Sequence, residues 1–309
     1  MESITAQKVT QLEIIIIDDG STDGTPEILR QLAEKDSRIK IITQENRGQG
    51  IARNRGLDIA AGDYVSFVDC DDKIHPHMYR DMLEAATRSK ADIVQCNIND
   101  ICPGISKRAR ATVKTGLYRI DDLRKFFASM ISRDRYSGEC CNKLYRKNLA
   151  DRVKFKQTSK VTAEDLLYNL EILLEVKSVY FIGKAYYNYY HNTEDIQGGK
   201  DEIEKLIELF GIAECRLREK GLYEKLARET GKLAFGIISE RLVKLLDDNE
   251  DFVAECMESC NIRRYLYGVM YASADIYGKA AAFLMLFAPR KIRLHVLRHY
   301  KNISALHKR

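Results

Sequence analysis

The fold is decided by residues 64–72, which read YVSFVDCDD. The run YVSFV is short, apolar and rich in β-forming residues, and it follows Gly62-Asp63, so it predicts a strand. Three carboxylates come directly after it, at Asp69, Asp71 and Asp72. Like charges this close repel one another, and a divalent cation such as magnesium or manganese relieves the repulsion by binding carboxylate oxygens. An acidic turn exposed to water explains the same residues equally well.

The composition is that of a globular protein with an ample core. The chain has 309 residues, of which 45% are hydrophobic and 31% are charged, and this suits one large domain or two smaller ones. The eight cysteines form no Cys-x-x-Cys pair and no zinc-type spacing, so we expect reduced thiols in a cytoplasmic protein. The N-terminus has no signal-peptide pattern, and the longest apolar run, residues 280–288, is too short to span a bilayer.

The charge is concentrated at the end of the chain. The formal net charge is +5, yet eight basic residues and no acidic residue follow Asp275. Among them Ile292, Val296, Tyr300 and Ile303 recur at helical spacing. A basic amphipathic helix beside an apolar run predicts peripheral attachment to an anionic membrane surface. A helix packed on the protein with a solvated basic face is the alternative, and nucleic acid is not an expected partner.

Strands and helices alternate over the first hundred residues. Residues 13–19 read EIIIIDD, and four consecutive isoleucines are typical of a strand buried on both faces. The pattern predicts these further elements: helices at 25–35, 51–61 and 76–88, and strands at 39–43, 64–68 and 93–97. Such alternation indicates βαβ units and an α/β fold with a mostly parallel sheet. From Glu202 the pattern is helical, so we predict one domain at 1–198 and a helical region at 199–309.

Four segments together resemble the family 2 glycosyltransferases, which are inverting enzymes of the GT-A fold that use nucleotide-sugar donors. The segments are EIIIIDDGSTDGT at 13–25, ENRGQGIARNRGLDIAAGDYVSFVDCDD at 45–72, CNKLYR at 141–146 and TAEDLLYN at 162–169. The resemblance covers roughly residues 2–191. It implies a GT-A, Rossmann-like domain with a mostly parallel sheet flanked by helices, followed by a helical C-terminal region.

The resemblance also implies a nucleotide site. In the family an aspartate after the first of these strands accepts hydrogen bonds from uracil, which points to a UDP-sugar donor and to Asp19 first and Asp18 second. A turn or capping role explains Asp18 as well. The family places further nucleotide contacts at Gly50, Arg53 and Asn54, where glycine lets the backbone approach a ligand and arginine suits phosphate. A surface ion pair is the alternative for Arg53.

The metal and the catalytic base follow from two other motifs. Asp69 and Asp71 match the family's Asp-x-Asp motif, which implies that Asp71 ligates the manganese or magnesium ion on the donor diphosphate and that Asp69 holds the ribose or a metal-bound water. Glu164 and Asp165 match a Glu-Asp pair at a helix start, and the resemblance assigns the base to Asp165. The helix dipole favours a carboxylate there, as a general base requires, although helix capping alone explains the pair too. Lys143 matches a lysine near the donor phosphates or acceptor.

The function implied by the resemblance is metal-dependent, inverting transfer of a sugar from a UDP-sugar to a saccharide or lipid-linked saccharide, in bacterial surface-polysaccharide synthesis. Two alternatives stay open: a degenerate glycosyltransferase that acts as a binding module, and a nucleotidyltransferase-like enzyme on a related sheet.

One family feature is not found in the sequence. Family members normally begin with an apolar strand and a helix ahead of the strand at 13–19, and residues 2–7 look like the end of that helix. We therefore expect the first strand to be absent and the strands at 13–19 and 64–68 to lack a partner between them. Such a chain is expected to be poorly soluble or weakly active.

Overall fold

The chain divides into two compact units. The computed structural model describes residues 1–102, 108–109, 114–120, 125–126, 136–156, 164–191, 200–246, 249–258, 262–263, 265–266, 276–288 and 290–305. One unit comprises Met1–Asp122 and Arg133–Asp195, and the other comprises Leu123–Ser132 and Ile196–Arg309. The predicted boundary at Gly198-Gly199 lies outside the described residues.

The first unit is α/β and the second is helical. The strands of the first are β1 (Ile14–Asp18), β2 (Ile39–Thr43), β3 (Tyr64–Val65), β4 (Lys73–Ile74), β5 (Ile93–Ile101), β6 (Arg108–Ala109), β7 (Gly116–Arg119), β8 (Lys143–Arg146) and β9 (Ser178–Tyr190). Its helices are α1 (Glu2–Thr5), α2 (Thr25–Lys35), α3 (Gln49–Ile59), α4 (Met78–Ser89), α5 (Lys147–Ala150) and α6 (Glu164–Leu173). The second unit contains α7 (Lys200–Glu219), α8 (Tyr223–Leu245), α9 (Glu250–Glu258), α10 (Ile276–Phe287) and α11 (Arg290–Ala305). The predicted α/β class and helical C-terminal region are confirmed.

The strands form two separate sheets. β1 and β2 pair in parallel as a two-stranded sheet. The larger sheet has seven strands in the order β3-β8-β5-β9-β4, with β6 beside β5 and β7 beside β9. Its β5 and β9 are parallel, whereas its other pairs among the described strands are antiparallel. The sheet is therefore mixed rather than mostly parallel, because β6, β7 and β8, which lie between β5 and β9 in the chain, enter it as antiparallel strands.

Two strands differ from the sequence prediction. In β1, Ile14 is buried but the three isoleucines that follow are only half-buried, so the strand is not enclosed on both faces as predicted. The predicted strand at 64–68 is paired only over Tyr64–Val65. Its Phe67 ring instead lies in an aromatic cluster, 5.2 Å from the ring of Phe155 and 6.0 Å from that of Tyr168. The chain leaves the sheet after Val65 and continues through Phe67 to Asp69.

Helix α3 connects the small sheet to the site. It begins after Gly48, whose φ of 88° belongs to the left-handed region that glycine adopts without strain. α3 packs against β1, and a Cβ on Gly56 would lie 3.8 Å from the Ile17 side chain. Beyond α3, the Glu13 carboxylate accepts the N–H groups of Ala61 and Gly62 at 2.6 and 3.0 Å. These contacts fix β1 relative to the segment that leads into β3.

The last helix of the second unit packs against its neighbours. Leu294, Val296 and Leu297 of α11 are buried, whereas Ile292 is 47% exposed. Of the four residues predicted to face a membrane, Ile292 is therefore accessible and Val296 is packed against protein. The side chains of the other two, Tyr300 and Ile303, lie outside the described residues. None of the helices in the described ranges is long and apolar enough to cross a membrane.

Candidate active site

The candidate site is built around Arg53 on α3. Its guanidinium forms ion pairs with Asp69 at 2.9 Å, Glu164 at 3.1 Å and Asp165 at 2.7 Å. The Arg53 side chain is 9% exposed, so the surface ion pair considered from the sequence is replaced by a buried one. Burial opposes the charge, but Cys140 and the three carboxylates outweigh burial and raise the pKa of Arg53. Residues from the predicted nucleotide loop, the Asp-x-Asp motif and the Glu-Asp motif thus meet at the Arg53 guanidinium.

The acidic turn after β3 is held by a tyrosine that the motifs do not predict. The Tyr187 hydroxyl on β9 accepts the N–H of Asp69 at 3.1 Å and donates to the Asp72 carboxylate at 2.6 Å. Asp72 also accepts the N–H of Tyr190 at 2.8 Å, and burial raises the pKa of Asp72 to about 6. Asp71 is exposed. The turn therefore buries Asp72 as a structural group and leaves Asp71 open to a ligand.

The turn offers two carboxylates of the kind that bind divalent cations. Asp69 and Asp71 offer hard carboxylate oxygens, and magnesium usually binds through one or two carboxylates plus substrate phosphates. Burial raises the pKa of Asp69, and the charges of Asp165 and Asp71 add to this effect while Arg53 opposes it. No group of three or more His, Cys, Asp or Glu side chains is arranged to hold a metal ion within the described ranges. The donor set thus fits a cation whose coordination is completed by a bound diphosphate.

Asp165 is the more accessible of the two acids that begin α6. One oxygen pairs with Arg53, and the other accepts the N–H of Cys140 at 3.3 Å and lies 3.4 Å from the Cys140 thiol. The Asp165 side chain is 22% exposed, compared with 7% for Glu164. Burial and the charge of Asp165 raise the pKa of Glu164 to about 7, and its Oε2 has no hydrogen-bond partner among the described residues. An acceptor hydroxyl therefore has a route to Asp165 rather than to Glu164.

Lys143 does not lie open to a ligand. Its amine is buried and donates to four acceptors: the Ser137 carbonyl at 2.9 Å, the Ser137 hydroxyl at 3.0 Å, the Asn142 side chain at 3.1 Å and the Glu139 carbonyl. Burial lowers the pKa of Lys143 to about 8. The amine is enclosed by protein acceptors, and its place near the donor phosphates or acceptor stays a prediction. In the structure Lys143 holds the segment that presents the Cys140 N–H to Asp165.

Asparagine 169 supports the same segment from the other side. Its amide donates to the Gly138 carbonyl and to the Asp165 carbonyl, at 2.8 and 2.9 Å. Its side-chain oxygen accepts the hydroxyls of Tyr136 and Tyr145 at 2.8 and 2.9 Å. All of the polar capacity of this buried amide is used, so Asn169 fixes the loop to α6. The motif TAEDLLYN contains this residue, but the pattern alone does not reveal its partners.

Asp19 organises the loop before α3. One carboxylate oxygen accepts the Gln44 side chain at 2.7 Å and the Arg47 N–H at 2.9 Å, and the other accepts the Gly48 N–H at 2.8 Å. Burial opposes ionisation, but these hydrogen bonds outweigh it and lower the pKa of Asp19. Asp19 is therefore a fixed carboxylate beside the predicted nucleotide loop.

The remaining predicted residues make local contacts. Asp18 is buried and accepts the Ser21 N–H at 3.0 Å, which fits the turn role considered from the sequence. Asn54 exchanges two hydrogen bonds with the backbone of Phe155, at 2.8 and 2.9 Å. A Cβ on Gly50 would lie 3.3 Å from the Phe155 Cβ, so glycine permits close packing there. The predicted nucleotide contacts of Asn54 and Gly50 stay predictions.

The sequence was then compared with known proteins. Residues 1–153 match the model of glycosyl transferase family 2. Residues 1–153 belong to that family. The chain is 32% identical over 197 residues to the uncharacterized glycosyltransferase YibD of Escherichia coli (strain K12), covering 62% of this chain and 57% of YibD. It is 26% identical over 226 residues to the cholesterol galactosyltransferase of Borreliella burgdorferi, covering 71% of this chain and 63% of that relative. The chain thus spans about three fifths of the length of these relatives.

Solved glycosyltransferase structures share its fold. A crystal structure of S. aureus TarS 1–349 has a TM-score of 0.69 at 17% identity, covering 97% of this chain and 86% of TarS. The complex of TarS 1–349 with UDP-GlcNAc has a TM-score of 0.61 at 16% identity, with the same coverage. Mannosyltransferase PcManGT from Pyrobaculum calidifontis, in complex with GDP-Man and Mn2+, has a TM-score of 0.52 at 16% identity, covering 100% of this chain and 82% of PcManGT. At these identities the likeness concerns the fold, and it supports the predicted GT-A fold.

Proposed function

We propose that this chain transfers a sugar from a UDP-sugar to an acceptor hydroxyl with inversion at the anomeric carbon. The observation that carries the proposal is the joint ion pairing of Arg53 with Asp69 and Asp165. Asp69 belongs to the Asp-x-Asp motif and Asp165 to the Glu-Asp motif, so one cation holds the diphosphate end of the site beside the candidate base. If Asp165 only capped α6, the ion pairs of Arg53 with Asp165 and Asp69 would not be required.

In this proposal Asp165 is the general base. It accepts the proton of the acceptor hydroxyl, whose oxygen then attacks the anomeric carbon from the face opposite the diphosphate. The bond from that carbon to the diphosphate oxygen breaks, and the electron pair leaves with the nucleotide. Asp165 lies in the first turn of α6 and pairs with the guanidinium of Arg53, which holds its carboxylate in place.

The leaving diphosphate is stabilised at the acidic turn. Three carboxylates surround one guanidinium in the structure, and Asp71 adds a further exposed carboxylate. This excess of negative charge supports a manganese or magnesium ion held by Asp71 and Asp69. Such an ion, when bound, neutralises the developing charge of the leaving group as a Lewis acid.

The choice of the nucleobase in the donor rests on Asp19. Its fixed carboxylate offers an acceptor for the imide N–H of uracil, beside backbone N–H groups at Arg47 and Gly48. TarS was solved with UDP-GlcNAc and PcManGT with GDP-Man, so the shared fold does not decide between the two bases. A direct comparison of UDP and GDP is therefore part of the test.

The proposed acceptor is a saccharide or a lipid-linked saccharide, in bacterial surface-polysaccharide synthesis. A relative named as a cholesterol galactosyltransferase supports a lipid acceptor as a class. The proposed setting is the inner face of the cell membrane, with peripheral attachment.

The test combines nucleotide binding with turnover. We expect calorimetry to detect UDP binding in the presence of manganese, with weaker binding of GDP. Release of UDP from a panel of UDP-sugars should then require Asp165. Nucleotide binding without sugar transfer to any saccharide acceptor would favour the degenerate binding module, and pyrophosphate release from UTP and a sugar phosphate would favour a nucleotidyltransferase.

A further inference from the structure

The helical unit exposes an apolar surface where α10 meets α11. Four large side chains there are accessible: Phe283 is 53% exposed, Leu284 40%, Phe287 51% and Ile292 47%. Phe287 lies four positions after Phe283 and three after Leu284, so the three side chains lie on the same side of α10. The rings of Phe283 and Phe287 are 5.0 Å apart. We call these four side chains the apolar tip.

The apolar tip is not needed for the core of its own unit. The opposite side of the two helices already supplies buried residues: Ala281, Ala282, Met285 and Leu286 on α10, and Leu294 and Leu297 on α11. Single exposed apolar residues are ordinary, but a group of four that includes two phenylalanines in contact marks an interaction surface.

Positive charge lies beside the apolar tip. Arg290 and Lys291 are exposed and fall between Phe287 and Ile292 in the chain. Arg290 pairs with Asp251, so part of its charge is already balanced by the protein. The sequence after Asp275 still carries eight basic residues and no acidic one. Arg293 likewise pairs with Glu258, so the exposed Lys291 is the cation that the structure shows beside the apolar tip.

We propose that the apolar tip inserts into the interfacial region of a membrane containing anionic lipid, with Lys291 of α11 against the headgroups. Aromatic and aliphatic side chains suit the acyl boundary, and each nearby cation adds attraction to anionic headgroups. The α10 helix has 12 residues, which makes it about 18 Å long and too short for the ~30 Å hydrocarbon core. The apolar tip therefore attaches to the membrane surface and does not cross the bilayer.

This surface differs from the one predicted by the sequence alone. The sequence stripe runs through Val296, which is 7% exposed and packed on the protein. The structure places the accessible apolar residues mainly on α10 instead. The docking surface extends the proposed peripheral attachment and does not depend on the sugar transfer, because its residues lie outside the candidate active site.

The test is sedimentation of the full chain with vesicles of phosphatidylcholine alone or mixed with phosphatidylglycerol. We expect binding to the mixed vesicles, weaker binding at high salt, and little binding to the neutral ones. The double variant Phe283→Ser/Phe287→Ser should lower the partition coefficient by about tenfold or more, because two partly exposed aromatic rings no longer enter the interface. Lys291→Glu should lower it only for the anionic vesicles.

Controls separate docking from folding and from catalysis. Ile28→Ser and Lys35→Glu remove an exposed apolar and an exposed basic residue of α2 in the first unit, and neither should alter vesicle binding. Unchanged melting and UDP release for the double variant would show that only attachment is lost. Equal binding to neutral and anionic vesicles, or full binding by the double variant, would overturn the proposal. Loss of a dimer without any lipid binding would assign the surface to self-association instead.

Discussion

Arg53 and Asp165 form a 2.7 Å ion pair although 112 residues separate them in the chain. Arg53 comes from the helix after β2, and Asp165 comes from the first turn of α6. The pair therefore depends on the tertiary fold, and it places the candidate base beside the acidic turn.

Replacing Arg53 by methionine should destabilise the protein. The change leaves three carboxylates facing one another without their shared cation, and removing one partner of a buried ion pair costs about 3–5 kcal/mol. Urea denaturation measures the loss. Arg55→Met, on the exposed side of the same helix, is the matched control and should stay within about 0.5 kcal/mol of wild type. Equal effects of the two changes would show that the ion pairs contribute no specific stability.

Replacing Asp165 by asparagine should slow transfer by roughly a hundredfold or more, the usual contribution of a general base. The amide keeps the size and the Cys140 contact but cannot accept the proton. Calorimetry should show near-normal UDP-sugar affinity. Glu164→Gln is the comparison. If it abolished transfer while Asp165→Asn remained fully active, the base would be Glu164.

Removing the metal should weaken donor binding. With manganese present we expect tight UDP binding, and with EDTA a clear loss, because the acidic turn then repels the diphosphate. Asp71→Ala should abolish the difference between the two conditions. Asp63→Ala, an exposed acid before β3, should leave it intact. Equal affinities in manganese and EDTA for the wild type would refute a metal-dependent donor site.

Replacing Lys143 by methionine distinguishes a supporting role from a phosphate contact. The change leaves buried carbonyls without a donor and should cost about 1–3 kcal/mol in unfolding free energy. Because the Cys140 N–H is then less well held against Asp165, kcat should fall while the KM for the donor changes little. A raised donor KM with unchanged kcat would restore the phosphate contact that the motif predicted.

Glu164 should make stability depend on pH. The pKa of Glu164 is raised from 4.5 to about 7, so the folded protein binds this proton more tightly than the unfolded chain does. The resulting stabilisation is fully present below pH 4.5 and is lost as the pH rises through about 7. Between pH 5 and 8 the unfolding free energy of wild type should fall relative to Glu164→Gln, by an amount on the order of 2 kcal/mol. Glu84→Gln, at an exposed position on α4, should run parallel to wild type. A constant difference for Glu164→Gln would contradict the raised pKa.

The sequence was informative about which segments matter and less so about contacts between them. Motif order predicted the α/β fold and indicated Asp69, Asp165 and Arg53, which the structure brings together. It could not predict that Arg53 pairs with carboxylates, because no local pattern links positions so far apart. Tyr187 reads as one of several strand aromatics, and only the fold shows that its hydroxyl holds the acidic turn.

Two differences from the sequence analysis have local physical causes. Lys143 matches a family lysine near the donor phosphates or acceptor, whereas in the structure the surrounding carbonyls satisfy its buried amine. The strand at 64–68 was predicted too long because its β-forming residues continue past Val65. Phe67 gains more from packing among aromatic rings than from continuing the sheet.

The division of the strands into two sheets gives the donor a mechanical role. Asp19 follows the two-stranded sheet, whereas Asp69 and Asp71 follow a strand of the seven-stranded one. A nucleotide held by Asp19 at one end and by Asp69 and Asp71 at the other would link the two sheets, which are hydrogen-bonded separately. Its binding should slow amide exchange along β1, at Ile15 to Ile17, where the diphosphate itself makes no contact. The bound donor would then help to hold in place the residues that act on it.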